Sequence, residues 1–186
     1  MLTASQIQFL AEDELITVIP KVSLPKMQFI HGNEGPFESG SPVQICLWLA
    51  LSLKKNNKVN IQPPEWLRVE TIKKIIEQER IHINVFQKLP SLYFMEIAIL
   101  LLENAESDAT NDPITLRSVI DELWRVREIK IRHGFLSIAS SYQIRSVELT
   151  NLTCMEINKM RPLLVESLSQ LQIFNKSMEI INKNYI

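Results

Sequence analysis

The period of the hydrophobic positions changes partway along the chain. Up to about residue 61 apolar residues come in short, β-branched or alternating runs, and from Glu65 onward they recur at spacings of three and four. The divide is the stretch from Val43 to Leu67. Its first part, Ile45 to Leu53, is almost continuously apolar and runs into Lys54-Lys55-Asn56-Asn57-Lys58, which predicts a short buried helix with lysines near its C-terminal carbonyls. Val59-Asn60-Ile61 then alternates like a strand. Pro63-Pro64 stops it, because proline donates no ladder hydrogen bond and holds the preceding residue extended. Pro63, Pro64 and Trp66 are therefore candidate domain-junction residues.

Before the divide, Thr3-Ala-Ser-Gln6 has the form of a capping box and is followed by Ile7, Leu10 and Ala11 at helical spacing, so a short helix opens the chain. Leu15-Ile-Thr-Val-Ile-Pro20 is β-branched and ends at proline, as an edge strand would. Met27-Gln-Phe-Ile30 offers a second strand. His31-Gly-Asn-Glu-Gly-Pro36 and Glu38-Ser-Gly-Ser-Pro42 are turn clusters. A β-rich unit of roughly 60 residues is marginal by itself and gains stability by docking on something larger.

After the divide, Trp66, Val69, Ile72, Ile76 and Ile83 mark one face of an amphipathic helix, with Glu70 and Lys74 paired on another. Ser91 to Ala105 is apolar all round, the pattern of a central buried helix, and 104–111 reads as a loop. Asp112-Pro113 supplies an N-cap with proline at the first helical position, and the helix it opens is expected to reach about Ser140. One stripe on it is Leu116, Val119, Ile120, Leu123 and Val126. A second, Trp124, Ile131, Phe135, Ile138 and Tyr142, lies to the side, so the helix meets two neighbours. Gly134 could bend it. Past a polar bridge, Thr153-Cys-Met-Glu156 is another capping box before a last helix starting at Ile157. Pro162 should kink or restart that helix, and Leu164, Leu168, Leu171, Phe174, Met178 and Ile181 give it a stripe. The fold class is α+β, mainly α: a small β-rich domain over 1–62 followed by a larger helical-bundle domain over 63–186.

Composition adds one constraint to this outline. The chain is 46% hydrophobic and 22% charged, with a mean hydropathy of +0.02. That is apolar enough to imply surface buried in partners rather than in its own core. A net charge of −1 gives no global basis for nucleic-acid binding. Cys46 and Cys154 lie in apolar sequence without a CxxC companion, so they are expected to be buried free thiols in a reducing compartment. Early acids and the lack of a basic segment before an apolar block argue against a signal peptide, and Leu92 to Leu102, interrupted by Glu96, falls short of the roughly 20 residues of a membrane span. A soluble intracellular protein is expected.

Catalytic chemistry finds little support. His31, His82 and His133 sit in three different elements without HExxH or HxxxH spacing, and no phosphate-cradling loop or nucleophile elbow is present. The acid pairs Asp13-Glu14, Glu77/Glu79 and Asp121-Glu122 read as solvated helix faces. No catalytic residue, cofactor or metal is expected, and no enzyme. Two basic clusters remain, Lys54/Lys55/Lys58 and Arg125-Val-Arg127-Glu-Ile-Lys130-Ile-Arg132. The second could track a nucleic-acid backbone through Arg125, Arg127, Lys130 and Arg132, cover apolar surface while pairing with Asp121, Glu122 and Glu128, or face a protein partner, where arginine and tryptophan are favoured. The candidate subunit interface is Leu123, Trp124, Arg125, Arg127, Ile131, Phe135, Leu164, Leu168 and Leu171.

Several stretches occur together in an order that resembles a known family. They are Phe9-Leu-Ala-Glu-Asp-Glu-Leu-Ile-Thr-Val-Ile-Pro20, Gly35-Pro-Phe37, Leu47-Trp-Leu-Ala50, Pro63-Pro-Glu-Trp-Leu67, Leu123-Trp-Arg-Val-Arg-Glu-Ile-Lys130 and Leu152-Thr-Cys-Met-Glu-Ile-Asn158. Their ordered set is similar to the Psf-two type subunits of GINS, the four-subunit complex of eukaryotic DNA replication. The resemblance implies a β-rich domain followed by a helical one whose long helices assemble the heterotetramer. It also implies a non-catalytic role in the nucleus, within a replicative helicase that joins GINS to the MCM ring and the Cdc subunit, with the small domain free to contact either. DNA contact would be indirect or weak, and no membrane is involved. The chain ends Asn182-Lys-Asn-Tyr-Ile186 without the acidic or serine-rich tail of some relatives, a divergence that puts in doubt any function the resemblance would place in such a tail.

Overall fold

The computed structural model describes residues 2–30, 32–83, 85–139 and 150–184. The polar bridge with Tyr142 lies outside them, as do the side chains of Ile138, Leu171, Phe174, Met178 and Ile181. The chain opens with α1 (Ala4–Ala11), and the capping box at its start is formed: the Thr3 hydroxyl accepts from the Gln6 amide at 3.2 Å, while the Gln6 side chain accepts from the Thr3 amide at 2.8 Å.

Among the described residues, five strands follow in two sheets: β1 (Leu15–Pro20), β2 (Met27–Phe29), β3 (Gly32–Glu34), β4 (Val43–Cys46) and β5 (Val59–Ile61). β1 pairs antiparallel with β4, Leu15 facing Cys46, and with β5, Val18 facing Ile61. It is therefore the central strand of its sheet, in order β4-β1-β5, and not an edge. Pro20 is tolerated there because it is the last residue, and the next amide, of Lys21, donates to the Lys58 carbonyl at 2.8 Å. Alternation along β1 buries Ile16, Val18 and Pro20 on one face. The hairpin β2–β3 occupies part of the expected turn cluster, and Phe29 meets the Trp48 ring edge-on at 5.2 Å.

α2 (Leu47–Lys55) lies between β4 and β5 and ends in Lys54 and Lys55. It begins two residues later than its apolar run, because Ile45 and Cys46 belong to β4 and pair with β1. Its Leu47, Leu49, Ala50, Leu51 and Leu53 are buried.

The helical part comprises α3 (Val69–Ile81), α4 (Phe94–Asn104), α5 (Glu106–Ala109), α6 (Pro113–Ala139) and α7 (Cys154–Asn184). α4 is central as its pattern predicts, with Phe94, Ala98 and Leu101 fully enclosed. α5 is a single turn within the expected loop. Asp112 caps α6 as expected, its Oδ1 accepting from the Thr115 amide at 3.1 Å, and its carboxyl is pulled below the usual carboxylate range by the Thr115 side chain first and by that amide second. α7 starts at Cys154, earlier than Ile157, and runs on through Pro162.

One apolar core spans both parts. It contains Ile16, Val18, Ile45 and Ile61 of the sheet, Leu47 to Leu53 of α2, Ile72 and Ile76 of α3, the inner residues of α4, and Leu116 to Leu123 of α6. Trp66 stacks at a tilt on Phe94, 4.6 Å between ring centres, and with Pro63 and Pro64 it lines a cleft of about 280 Å³ against β1. A polar latch reinforces the join: Asp108 of α5 accepts from the Ile61 amide at 2.8 Å and pairs with Lys54 at 2.6 Å. The β-rich unit thus shares its interior with the helices and is not a loosely tethered module. No helix of the described residues is long and apolar enough to cross a membrane.

Candidate functional site

The apolar stripe Leu116, Ile120, Leu123 on α6 continues in phase into Arg127 and Lys130, at steps of four and three. On α3 the stripe Ile72, Ile76 continues likewise into Glu79. Helical geometry consequently turns these three charges inward, where α3 packs on α6. Arg127 is 1% exposed and Glu79 1% exposed, and Lys130 and Glu156 are buried beside them.

Together they form a closed cluster. The Arg127 guanidinium grips Glu156 with two parallel bonds, Nε to Oε1 at 2.6 Å and Nη2 to Oε2 at 2.9 Å. It also donates from Nη1 to Glu79 and to the Gln87 carbonyl, and from Nη2 to the Asn151 carbonyl. All five of its N–H groups are used. Lys130 donates to the other Glu79 oxygen and to the Val85 carbonyl, and the Phe86 ring lies 5.1 Å from the Arg127 guanidinium carbon and 5.3 Å from the Lys130 ammonium. Burial alone would pull the Arg127 pKa down. Hydrogen bonds and charge from Glu156, then from Glu79, more than offset it, and the value is raised.

Glu156 has a second task. As the third residue of α7 it completes the capping box, Oε2 accepting from the Thr153 amide at 2.8 Å. The cluster thus ties the first turn of α7 to the end of α3, the 85–87 segment and the middle of α6. Few apolar contacts assist it there: Leu152, Met160 and Leu164, flanked by Phe86, Ile131 and Phe135, form a small separate cluster.

Outside this anchor α6 and α7 present an amphipathic surface. A cleft of about 200 Å³ between them is lined by Trp124, Ile131, Met160 and Leu163, with Lys159 5.2 Å over the Trp124 ring. Glu128 at its rim accepts from Arg132 at 3.1 Å and Lys159 at 3.3 Å, and Lys159 first, then Arg132, hold its carboxyl below the usual range. Ile129 and Leu136 on α6, 68% and 69% exposed, and Leu163 and Val165 on α7 stand in solvent.

The expected interface residues divide accordingly. Trp124, Ile131, Phe135 and Leu168 are half-buried and Arg125 is exposed. Leu123 and Arg127 are corrected: both are enclosed by this chain, the first in the main core and the second in the charge cluster, so neither offers surface to a partner. Leu164 is buried in the small cluster, and the Leu171 side chain lies outside the described residues. The basic track is likewise broken up. Arg127 and Lys130 point inward, Arg132 pairs with Glu128, and Glu122, an expected partner of the stretch, pairs instead with Arg80 of α3 at 2.6 Å. The sequence reading of Glu77/Glu79 as a solvated face holds for Glu77 but is corrected for Glu79, which is buried, and the sequence marks Glu156 only as a capping-box residue. The signal was present in Glu79, a carboxylate in phase with an apolar stripe that ought to be all hydrophobic.

Comparison with known proteins places the chain among relatives along nearly its whole length. Residues 3–62 match the family described as PSF2 N-terminal domain, and residues 66–174 match the GINS complex protein helical bundle domain. The human DNA replication complex GINS protein PSF2 is 39% identical over 168 residues, covering 90% of this chain and 89% of the human protein. The Xenopus laevis protein of the same name is 39% identical over 176 residues, 95% of this chain and 94% of its own. A probable PSF2 of Drosophila melanogaster is 34% identical over 176 residues, 93% of this chain and 84% of its own.

Proposed function

The chain belongs to the PSF2 family of DNA replication GINS subunits, and from that premise we propose that it is a non-catalytic scaffold subunit of the GINS heterotetramer, working in the nucleus. Its partners on this reading are the three other GINS subunits and, through the assembled complex, the MCM ring and the Cdc subunit of the replicative helicase. The reading divides the chain at 62/63, in keeping with the two family matches that end at 62 and begin at 66.

The observation that carries it is the amphipathic surface of α6 and α7. Exposed Ile129, Leu136, Leu163 and Val165 accompany a half-buried Trp124 on helices whose inner faces are already committed. Apolar side chains left in water on a rigid helix pair gain by burial in an obligate interface, and such interfaces commonly hide more than about 2,000 Å². Arg125, Trp124 and the rim around Lys159 and Glu128 supply the mixed aromatic and charged character of such contacts.

Co-expression with the three sister subunits followed by native mass spectrometry tests the proposal. The chain should be recovered in a 1:1:1:1 complex. The double variant Ile129→Asp/Leu163→Asp, altered only at exposed positions, should melt within a few degrees of the parent, an effect of about 1 kcal/mol or less, yet be absent from the complex. A monodisperse monomer that ignores the sisters, or a double variant that assembles at the parent's yield, overturns it.

A further inference from the structure

Glu96 is the third residue of α4, a helix otherwise apolar over its buried face, and it is 4% exposed. Among the described residues neither carboxylate oxygen has a hydrogen-bond partner. The interior cations cannot serve it. Arg127 uses all five donors elsewhere, and Lys130 is taken by Glu79 and the Val85 carbonyl. Those four side chains already balance, two cations against two carboxylates, so an ionised Glu96 would leave a net negative charge in the interior.

The titratable groups around it make matters worse for an anion. Glu156 on α7 repels it directly. Cys154 on α7 and Tyr93 at the start of α4 also feel its charge, and Asp13 and Glu14, from the turn between α1 and β1, act on Tyr93. Each of these is acidic or neutral. The first turn of α7 would attract a carboxylate through its free amides, but those of Thr153, Cys154 and Glu156 are occupied. Thr153 donates to Glu156, Cys154 to the Leu92 carbonyl at 3.0 Å, and Glu156 to the Thr153 hydroxyl. An unpaired buried charge in such a place is costly enough that the group takes up a proton instead.

We propose that Glu96 is held in the folded chain as a neutral carboxylic acid, and that its ionisation destabilises the fold. Burial is the main reason its pKa lies above the ordinary value, and the charge of Glu156 adds to it. Its own backbone N–H pulls the other way without bonding to either oxygen. Because the folded value is the higher one, the stability Glu96 allows is fully present below the unfolded pKa of about 4.3. It is lost progressively as pH rises through the folded value. The proton is therefore a structural component of the interior at the start of α4, and alkaline conditions remove it. None of this depends on the subunit reading above.

Thermal unfolding of the full chain and of Glu96→Gln, measured from about pH 4.5 to about pH 9, tests the proposal. The Gln variant should be the more stable, with a Tm gap that opens as pH rises out of the ordinary carboxylate range and then levels off at several degrees. Infrared spectroscopy of the unsubstituted chain, with carbon-13 in its glutamates, supplies an independent reading that survives even if the variant fails to fold. A protonated-carboxyl band should persist where exposed carboxylates are ionised. A Gln variant that is less stable throughout, a gap that does not change with pH, or absence of that band overturns the proposal.

Discussion

The β-rich unit and the first turn of α7 are both fastened to the helices between them, but by different chemistry. The sheet packs through Ile16, Val18, Ile45 and Ile61 on α2, which packs on α4, in a core that runs unbroken into α6. Among the described residues, the start of α7 is fastened by four buried charges and three enclosed apolar side chains, Leu152, Met160 and Leu164. Burial of apolar area is non-directional and forgives a change of shape. A buried ion cluster is directional, and it fails when one member is lost because the remaining charges keep their desolvation cost without their partners. The first arrangement gives stability; the second fixes one orientation of a long helix relative to the bundle.

Conservative substitutions sharpen that contrast most. Arg127→Lys keeps the charge but loses the two-pronged grip on Glu156 and several of the five donors. It should cost about 3 kcal/mol or more, a fall in Tm on the order of 10 °C. Leu101→Met, equally buried in the apolar core, should cost less than about 1.5 kcal/mol. Differential scanning calorimetry on the two variants decides it, and equal losses would mean the charges are no more demanding than the core. A smaller effect is expected at the latch of the β-rich unit. Asp108→Ala strips the acceptor from the Ile61 amide and the partner from Lys54, so a loss of about 1–3 kcal/mol should follow. Faster hydrogen exchange should be confined to β5 and its surroundings. Smallest is Arg80→Ala, which removes only the exposed pair with Glu122 and should change stability by less than about 1 kcal/mol in a urea titration.

Much of this architecture is legible in the order of residues. Both capping boxes, the Asp112 cap before Pro113, the all-apolar α4 and the switch from short strands to long helices depend on neighbours within a few positions, so local physics is enough to find them. The candidate surface was legible only in part. Trp124, Arg125, Ile131 and Phe135 lie in or beside it, whereas Leu123 and Arg127 are enclosed. A stripe on a helix says that it is covered, not whether the cover comes from the same chain.

What the sequence determined by itself was therefore the set of elements, their caps and the faces they bury, because periodicity and capping are properties of adjacent residues. Only the tertiary structure decided the central place of β1, the sharing of one core by both parts, and the fate of the charges. Glu79, Arg127 and Glu156 are separated by 48 and 29 positions along the chain. Whether a cation faces water or a buried carboxylate depends on which helices pack together, and that is settled by the whole fold.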